Sequence, residues 1–374
     1  MSTSGVQVLG TRALNRALLA RQLLLERVRR PALDVLTHLV GLQAQAPDAP
    51  YFGLWSRLAG FRPGELAGLL RERSAVRATM MRGTLHAVTS ADCLALRMLA
   101  QPTMERAVRT NTDYDGQRVA GVPVAELLAV GAELLTEAPR TPAELRALCA
   151  ARWPGHDPGW VSYTVRALVP TVQVPPRGIW GVGGLARLSP VRAWLGQPVH
   201  PDPDPDGLVP RYLAAFGPAT AADLATWSGR TAVRPVLERL RPQLRVFADE
   251  HGRELFDVPG APLPPADTAA PVRLLAPYDN ALLAHADRAR VVPEEYRARL
   301  LSKNGIVPGT VLVDGFVQGT WDVSRPGRGQ ARLTVRPFRP LTAQQAGQLS
   351  DEAASAAEFA ARDGPVEVAI EEAG

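Results

Sequence analysis

The fold is decided by the stretch VRATMMRGTLHAV, which runs from Val76 to Val88. It contains two strand-forming runs on either side of Arg82-Gly83, and glycine favours a tight turn between them. Apolar residues at helical spacing precede it over residues 11–28 and 32–45, which predicts two helices. Helices that lead into a β-hairpin are the pattern of a winged helix.

The same order of elements recurs twice along the chain. The second copy has helices at 124–136 and 141–152, with Thr141 and Glu144 at capping-box spacing. Its wing is predicted to pair Thr171 to Val174 with a strand from Ile179 to Leu188. The third copy begins at Leu208, and after residues 260–271, rich in proline and alanine, the pattern predicts strands, an alanine-rich helix over 341–362 and a last short strand.

We therefore predict an α+β protein with three tandem winged-helix units and a C-terminal mixed β domain. The expected boundaries are residues 1–120, 121–200 and 201–260 for the winged helices, and residues 272–374 for the β domain.

The charge is distributed unevenly along the 374 residues, whose formal net charge is +5. Residues 1–200 carry 23 Arg and 14 acidic residues, whereas the remainder is net acidic. A positive half suits a polyanionic partner such as nucleic acid, although a GC-rich genome would also enrich arginine.

No run reaches the roughly 18 apolar residues of a membrane span, and no secretory signal is evident. With only two cysteines, a cytoplasmic protein without disulfides is expected.

A pair of glutamines gives the strongest chemical signal, in the segment GLQAQAPDAP from Gly41 to Pro50. Pro47 disfavours the α region at Ala46, so the helix over 32–45 is expected to stop there. In an extended or frayed end, residues two apart share a face, and Gln43 and Gln45 would converge on a small target such as water. Amides orient water but do not strongly deprotonate it. The alternative is that both amides only cap the end of the helix.

Several sequence blocks, in their order and spacing, resemble the AlkZ/YcaQ-like family of bacterial winged-helix DNA glycosylases. The blocks are Gly41-Leu42-Gln43-Ala44-Gln45, Ala49-Pro50-Tyr51, Leu54-Trp55-Ser56-Arg57, Met81 to His86, Pro277-Tyr278-Asp279, Asp287-Arg288, Asn304-Gly305 and Val311 to Trp321. The resemblance implies winged helices curled around a DNA channel and excision of N7-alkylated bases, including bulky adducts and interstrand crosslinks. Gln43-Ala44-Gln45 resembles the Gln-x-Gln motif of the AlkZ-type branch, which makes both glutamines the expected catalytic residues.

Six further residues are expected to contact DNA, namely Arg82, His86, Tyr278, Asp279, Arg325 and Arg328. Each has a structural alternative: a packed wing for the first pair, a structural turn for the second and a solvated hairpin tip for the third.

The expected partner is double-stranded DNA that carries alkylated purines, acted on by a monomer. Lys303 is the only lysine of the chain, which favours a monofunctional enzyme over one that attacks with an amine. The histidines and cysteines show no metal-ligand spacing, and neither metal nor cofactor is expected. The resemblance suggests DNA repair or self-resistance to a genotoxin. The rival interpretation is a winged-helix transcription regulator without catalysis.

Overall fold

The computed structural model describes residues 6–111, 123–300, 305–327, 330–362 and 364–373. Within these residues there are sixteen α-helices, numbered in chain order: α1 Thr11–Arg21, α2 Ala32–His38, α3 Ala49–Trp55, α4 Pro63–Arg71, α5 Ser90–Leu96, α6 Gln101–Thr110, α7 Val124–Glu137, α8 Pro142–Arg152, α9 Pro158–Leu168, α10 Val191–Leu195, α11 Leu208–Phe216, α12 Ala221–Ser228, α13 Arg234–Leu240, α14 Asn280–Leu283, α15 Arg297–Leu300 and α16 Ala343–Ala360.

The same residues form thirteen strands: β1 Val8–Leu9, β2 Leu42–Gln43, β3 Ala75–Thr79, β4 Leu85–Thr89, β5 Thr171–Val174, β6 Arg187–Pro190, β7 Arg245–Asp249, β8 Glu254–Asp257, β9 Arg273–Leu275, β10 Gly309–Val313, β11 Phe316–Gly327, β12 Gln330–Pro337 and β13 Val366–Ile370.

The chain divides into two compact units. The first contains residues 1–63, 206–227 and 232–374, and the second contains residues 64–205 and 228–231. In the first unit, one sheet has the order β1-β7-β8 and another the order β13-β12-β11-β10-β9. In the second unit, β4, β3, β5 and β6 lie in that order, and neighbours are antiparallel. The α+β class is confirmed, while the division into three winged helices and a β domain stays a prediction.

Local sequence signals located many of these elements correctly. The hairpin over Val76 to Val88 is present, with Thr79 opposite Leu85 in an antiparallel pair. The capping box of α8 is present too, since Thr141 Oγ1 accepts from the Glu144 amide at 3.2 Å and Glu144 accepts from the Thr141 amide at 2.8 Å. In the second unit, α7, α8 and α9 pack through a buried cluster that includes Leu127, Leu145 and Val165.

Three predicted elements were wrong in extent. The helix expected over 11–28 ends at Arg21, and Leu23 (φ 57°) lies outside the α region. The helix expected over 32–45 ends at His38, because Val40 (φ 55°) and Gly41 (φ 97°) leave the α region. The strand expected from Ile179 to Leu188 exists only as β6, which begins at Arg187. Glycines with positive φ at Gly181 and Gly184 turn the preceding chain into a loop.

A buried ion pair joins α1 to the first sheet in the first unit. Arg21 donates from Nη1 to Asp257 Oδ1 at 2.5 Å and from Nη2 to Oδ2 at 2.9 Å, and both side chains are fully buried. Arg21 also donates to the carbonyl oxygens of Leu213 and Pro262 at 2.9 and 3.0 Å. The charge is therefore matched by a bidentate carboxylate and two further acceptors, which offsets its desolvation.

We predict that Asp257→Ala lowers the free energy of unfolding by about 3–5 kcal/mol, because it strands a buried guanidinium. Arg12→Ala is the control, since Arg12 pairs with Asp314 where both side chains are almost half exposed. Its loss should be about 0–1 kcal/mol. Denaturant unfolding of both variants is the measurement, and equal losses would contradict this account.

Candidate active site and DNA-contacting residues

The backbone before the two glutamines is held in a left-handed turn. After α2, the amide of Val40 donates to Thr37 O at 3.2 Å and the amide of Gly41 donates to Leu36 O at 2.8 Å. These two bonds form a Schellman motif, which usually places glycine at the position that Val40 occupies. A β-branched residue at φ 55° is strained, and such strain persists only where the surroundings enforce it.

Between α2 and α3 the glutamine segment is extended only at Leu42–Gln43, which form β2, and the chain bends at Gln45. Leu42 packs over Gly53 of α3, where a Cβ would lie 3.2 Å from Leu42 Cδ1. Gln43 is 6% exposed, whereas Gln45 is exposed to solvent. The two amides thus differ in access to water, and their convergence on one target stays a prediction.

Asn280 ties this segment to a distant part of the chain. Its Nδ2 donates to the carbonyl oxygen of Gly41 at 2.7 Å, and the bond is buried. Asn280 is the first residue of α14, and the Asp279 carboxylate caps that helix by accepting from the Ala281 amide at 2.9 Å. Tyr278, just before, has φ 59°. A non-glycine residue in the left-handed region therefore lies just before each partner of this hydrogen bond. Val40 precedes Gly41, and Tyr278 lies two residues before Asn280.

The position of Asp279 is set by a second buried ion pair. Arg57 donates to both Asp279 oxygens, at 2.9 and 2.8 Å, and both side chains are fully buried. Arg57 also donates to Gly53 O at 2.9 Å and to Gln22 Oε1 at 3.1 Å. Gln22 in turn donates to Ala215 O at 2.7 Å. The network joins α1, α3, α11 and α14 around the glutamine segment.

These contacts bear on the predicted roles of Tyr278 and Asp279. The Asp279 carboxylate is buried and engaged by Arg57, which favours the structural-turn alternative over contact with phosphate. Tyr278 is half-buried, and its amide donates to Val307 O at 3.3 Å. A DNA contact by its side chain stays a prediction.

Arg82 and His86 lie in the second unit, at the first hairpin. Arg82 occupies a turn at φ 58° and is half-buried. Gly229 packs so closely that a Cβ there would lie 3.0 Å from Arg82 Cα. Thr103 holds the same glycine, donating to its carbonyl oxygen at 2.8 Å. The turn is therefore packed, as the structural alternative expects.

The His86 imidazole is buried and neutral. Its Nδ1 lies 2.9 Å from Thr84 O, which only accepts, so Nδ1 carries the proton. Burial, with a smaller effect of the Arg82 charge, lowers the pKa of His86 to about 3. His86 therefore supplies no positive charge to DNA at neutral pH, and lining a pocket is the role that stays open to it.

Of the last predicted pair, Arg325 lies in β11. Arg325 is exposed and donates from Nη2 to Ala360 O at 2.7 Å, at the C-terminal end of α16, where a cation is favoured. Arg328 lies outside the described residues, as does Lys303. A groove contact by either arginine stays a prediction.

Other reactive groups are placed in the core. Cys93 and Cys149 are free and buried, and burial raises their pKa values to about 12 and about 11. Neither thiol is a thiolate at neutral pH.

Among the described residues, no group of three His, Cys, Asp or Glu side chains is placed to hold a metal ion. The helices in that part of the chain are too short or too polar to cross a bilayer.

Comparison with known proteins identifies the family. A family model described as DNA glycosylase AlkZ-like matches residues 36–359, which is most of the chain. The chain belongs to the AlkZ-like DNA glycosylase family. The match includes the glutamine segment, Arg57, Asp279 and Asn280, whereas Gln22 of the network described above lies before the matched region.

A relative and a solved structure, both from Streptomyces sahachiroi, are similar to this chain. An interstrand DNA cross-link repair glycosylase is 26% identical over 362 residues, which cover 85% of this chain and 88% of that protein. The solved structure of the DNA glycosylase AlkZ aligns with a TM-score of 0.78 at 21% identity, over 98% of this chain and 100% of that one. At this identity, the structural likeness shows the AlkZ-like fold.

Sequence reasoning missed three residues of the site. Arg57, Gln22 and Asn280 were not predicted to act, although Arg57 ends the block Leu54-Trp55-Ser56-Arg57 and Asn280 directly follows Pro277-Tyr278-Asp279. Of the three, only Arg57 lies within a block that carried the resemblance, and Gln22 lies far from every block. What the blocks lacked was the pairing of Arg57 with Asp279, which only the fold provides.

We predict that Asn280→Ala slows base excision on the order of tenfold and destabilises the fold by about 1–3 kcal/mol, because the buried Gly41 carbonyl loses its donor. Asn15→Ala is the matched control. Asn15 is also fully buried and donates to two carbonyl oxygens, of Arg290 and Gly315, at 2.7 and 2.8 Å.

Single-turnover excision and thermal unfolding should be measured on both variants at a temperature where both are folded. Asn15→Ala should lose stability and keep its rate. Equal slowing of the two variants would mean that Asn280 acts only through stability.

Proposed function

We propose that the protein is a monofunctional DNA glycosylase that excises bulky N7-alkylguanine adducts, with a water molecule positioned by Gln43 and Gln45. The observation that carries the proposal is the glutamine pair in a strained, clamped segment, within a chain of the AlkZ-like family. The left-handed conformation of Val40 and the buried hydrogen bond from the Asn280 side chain to Gly41 O fix the backbone before the glutamines, which an ordinary surface loop does not need.

The chemistry of the substrate suits neutral amides. Alkylation at N7 makes guanine a cation, so when the C1′–N9 bond breaks, the bonding electrons leave with N9 and the base departs neutral. The sugar is left with oxocarbenium character. Carbonyl oxygens with partial negative charge stabilise it and hold the water that adds to C1′. The proton released by that water passes to solvent, because amides do not titrate.

The motif and a relative both support the proposed substrate class. Gln43-Ala44-Gln45 matches the Gln-x-Gln pattern of the AlkZ-type branch, and the Streptomyces sahachiroi relative is an interstrand cross-link repair glycosylase. We therefore include the unhooking of interstrand crosslinks in the proposal. Protection of a producing cell from its own DNA-alkylating product is the role that this activity would serve.

DNA is expected to lie in a channel formed by three winged helices and the C-terminal β domain. The excess of arginine in residues 1–200 supports an electrostatic contribution to binding. Arg82, Arg325 and Arg328 are the proposed phosphate contacts, and the enzyme is proposed to act as a cytoplasmic monomer. Membership of a glycosylase family rules against the rival interpretation, a transcription regulator without catalysis.

We predict that Gln45→Ala, and somewhat less Gln43→Ala, strongly slows base excision while DNA binding survives. Loss of one orienting group should slow single-turnover excision on the order of 10²-fold or more, because these amides act on the reacting atoms. Affinity should change little, since neutral amides add little to phosphate binding. Wild-type rates in both variants would contradict the water-positioning role.

The substrate proposal is tested with a panel of duplexes that carry one N7-guanine adduct each, from methyl to bulky and crosslinked. We expect abasic sites to form with the bulky adducts, and borohydride to trap no covalent enzyme–DNA adduct. No excision across the panel would overturn the substrate assignment. A trapped adduct would overturn the monofunctional one.

A further inference from the structure

An ion pair holds the downstream end of the glutamine segment. Arg362 Nη2 donates to Asp48 Oδ2 at 2.5 Å, and the two residues are 314 positions apart in the sequence. Asp48 follows Gln45 by three residues, and both partners of the pair belong to the first unit. The Arg362 side chain is 21% exposed and that of Asp48 is 45% exposed. The pair therefore ties the chain after α16 to the segment that carries the two glutamines.

The Asp48 side chain is used for this contact rather than for capping a helix. Aspartate is favoured at a helix N-cap because its carboxylate accepts from backbone amides of the first turn. Asp48 occupies the N-cap of α3, yet its carboxylate makes no such bond within the described residues. Its backbone carbonyl oxygen accepts from the amides of Tyr51 and Phe52 at 3.1 and 3.2 Å. The backbone thus starts the helix, and the carboxylate binds Arg362.

The end of α16 places Arg362 beside Asp48. Phe359, in the last turn of α16, stacks on Trp55 with ring centroids 5.9 Å apart and meets Phe52 edge to face at 5.2 Å. Both of these aromatic residues belong to α3. Two residues after α16 ends, Arg362 reaches Asp48 at the start of the same helix. The aromatic contacts and the ion pair therefore fix α3 and the residues just before it against one element.

Gln45 consequently lies between two anchored points of the backbone. Upstream, Asn280 donates to Gly41 O at 2.7 Å, and downstream, Arg362 holds Asp48. Gln45 is exposed to solvent, so packing around its side chain does less to position it than the backbone on either side. A group that orients a reacting water is effective only when its position is already fixed before the reaction.

We propose that Arg362 is a positioning residue for base excision, which holds Gln45 in place through its ion pair with Asp48. This inference rests on the proposed function, because Gln45 is there assigned to orient the attacking water. A partly exposed ion pair contributes little to stability. Loss of Arg362 should therefore change the rate of excision and leave folding nearly unchanged.

The role is measured by single-turnover excision of a bulky N7-alkylguanine from duplex DNA at saturating enzyme. Arg362→Met should slow excision about fivefold, which corresponds to about 1 kcal/mol. Arg362→Lys, which keeps a cation for Asp48, should restore most of the rate. Arg336→Met is the matched control, because it removes one arginine from another partly exposed ion pair of the first unit, with Asp322. It should excise at the wild-type rate.

The position of the segment is measured separately, without DNA. A nitroxide attached to the Gln45→Cys variant reports the mobility of this position, since Cys93 and Cys149 are buried. Adding Arg362→Met should make its electron paramagnetic resonance spectrum more mobile, and adding Arg336→Met should not. An unchanged spectrum, or a wild-type excision rate in Arg362→Met, would overturn the proposal. Failure of the wild type to excise N7-alkylguanine would overturn the proposed substrate instead, and the spectra would still decide whether Arg362 holds the segment.

Discussion

The ion pair between Arg57 and Asp279 is the interaction on which the candidate site depends. A guanidinium and a carboxylate removed from water are stable only when their hydrogen bonds are well matched, and here Arg57 meets both carboxylate oxygens at 2.8–2.9 Å. That geometry fixes Asp279, and Asp279 fixes the first turn of the short helix α14. Asn280 then stands where it can hold Gly41, two residues before Gln43.

The arrangement explains how weak chemical groups can serve as a catalytic pair. Amides contribute position rather than basicity, so their value depends on how rigidly the backbone presents them. The strained turn at Val40 and Gly41, the Asn280 bond and the packing of Leu42 over Gly53 all restrict that backbone. An N7-alkylated base is a good leaving group, so positioning the water is enough for catalysis and a strong base is not needed.

Local signals predicted a large part of the fold and the glutamine pair, but not what holds that pair. The first hairpin, the Thr141–Glu144 capping box and α7, predicted over 124–136 and observed over Val124–Glu137, depend on neighbours in sequence, and they were correct. The end of α2 was wrong because apolar spacing says nothing of the left-handed turn at Val40. The partnership of Arg57 with Asp279 spans 222 residues, a distance over which periodicity carries no information.

Asn280 acts on catalysis through the glutamine segment, and a double-mutant cycle between Asn280 and Gln45 is the sharpest test of that link. Single-turnover excision rates would be measured for the wild type, Asn280→Ala, Gln45→Ala and the double variant. We expect the double variant to be about as slow as Gln45→Ala alone, with a coupling energy of about 0.5–3 kcal/mol between the two sites. Effects that simply add, to within about 0.5 kcal/mol, would contradict it.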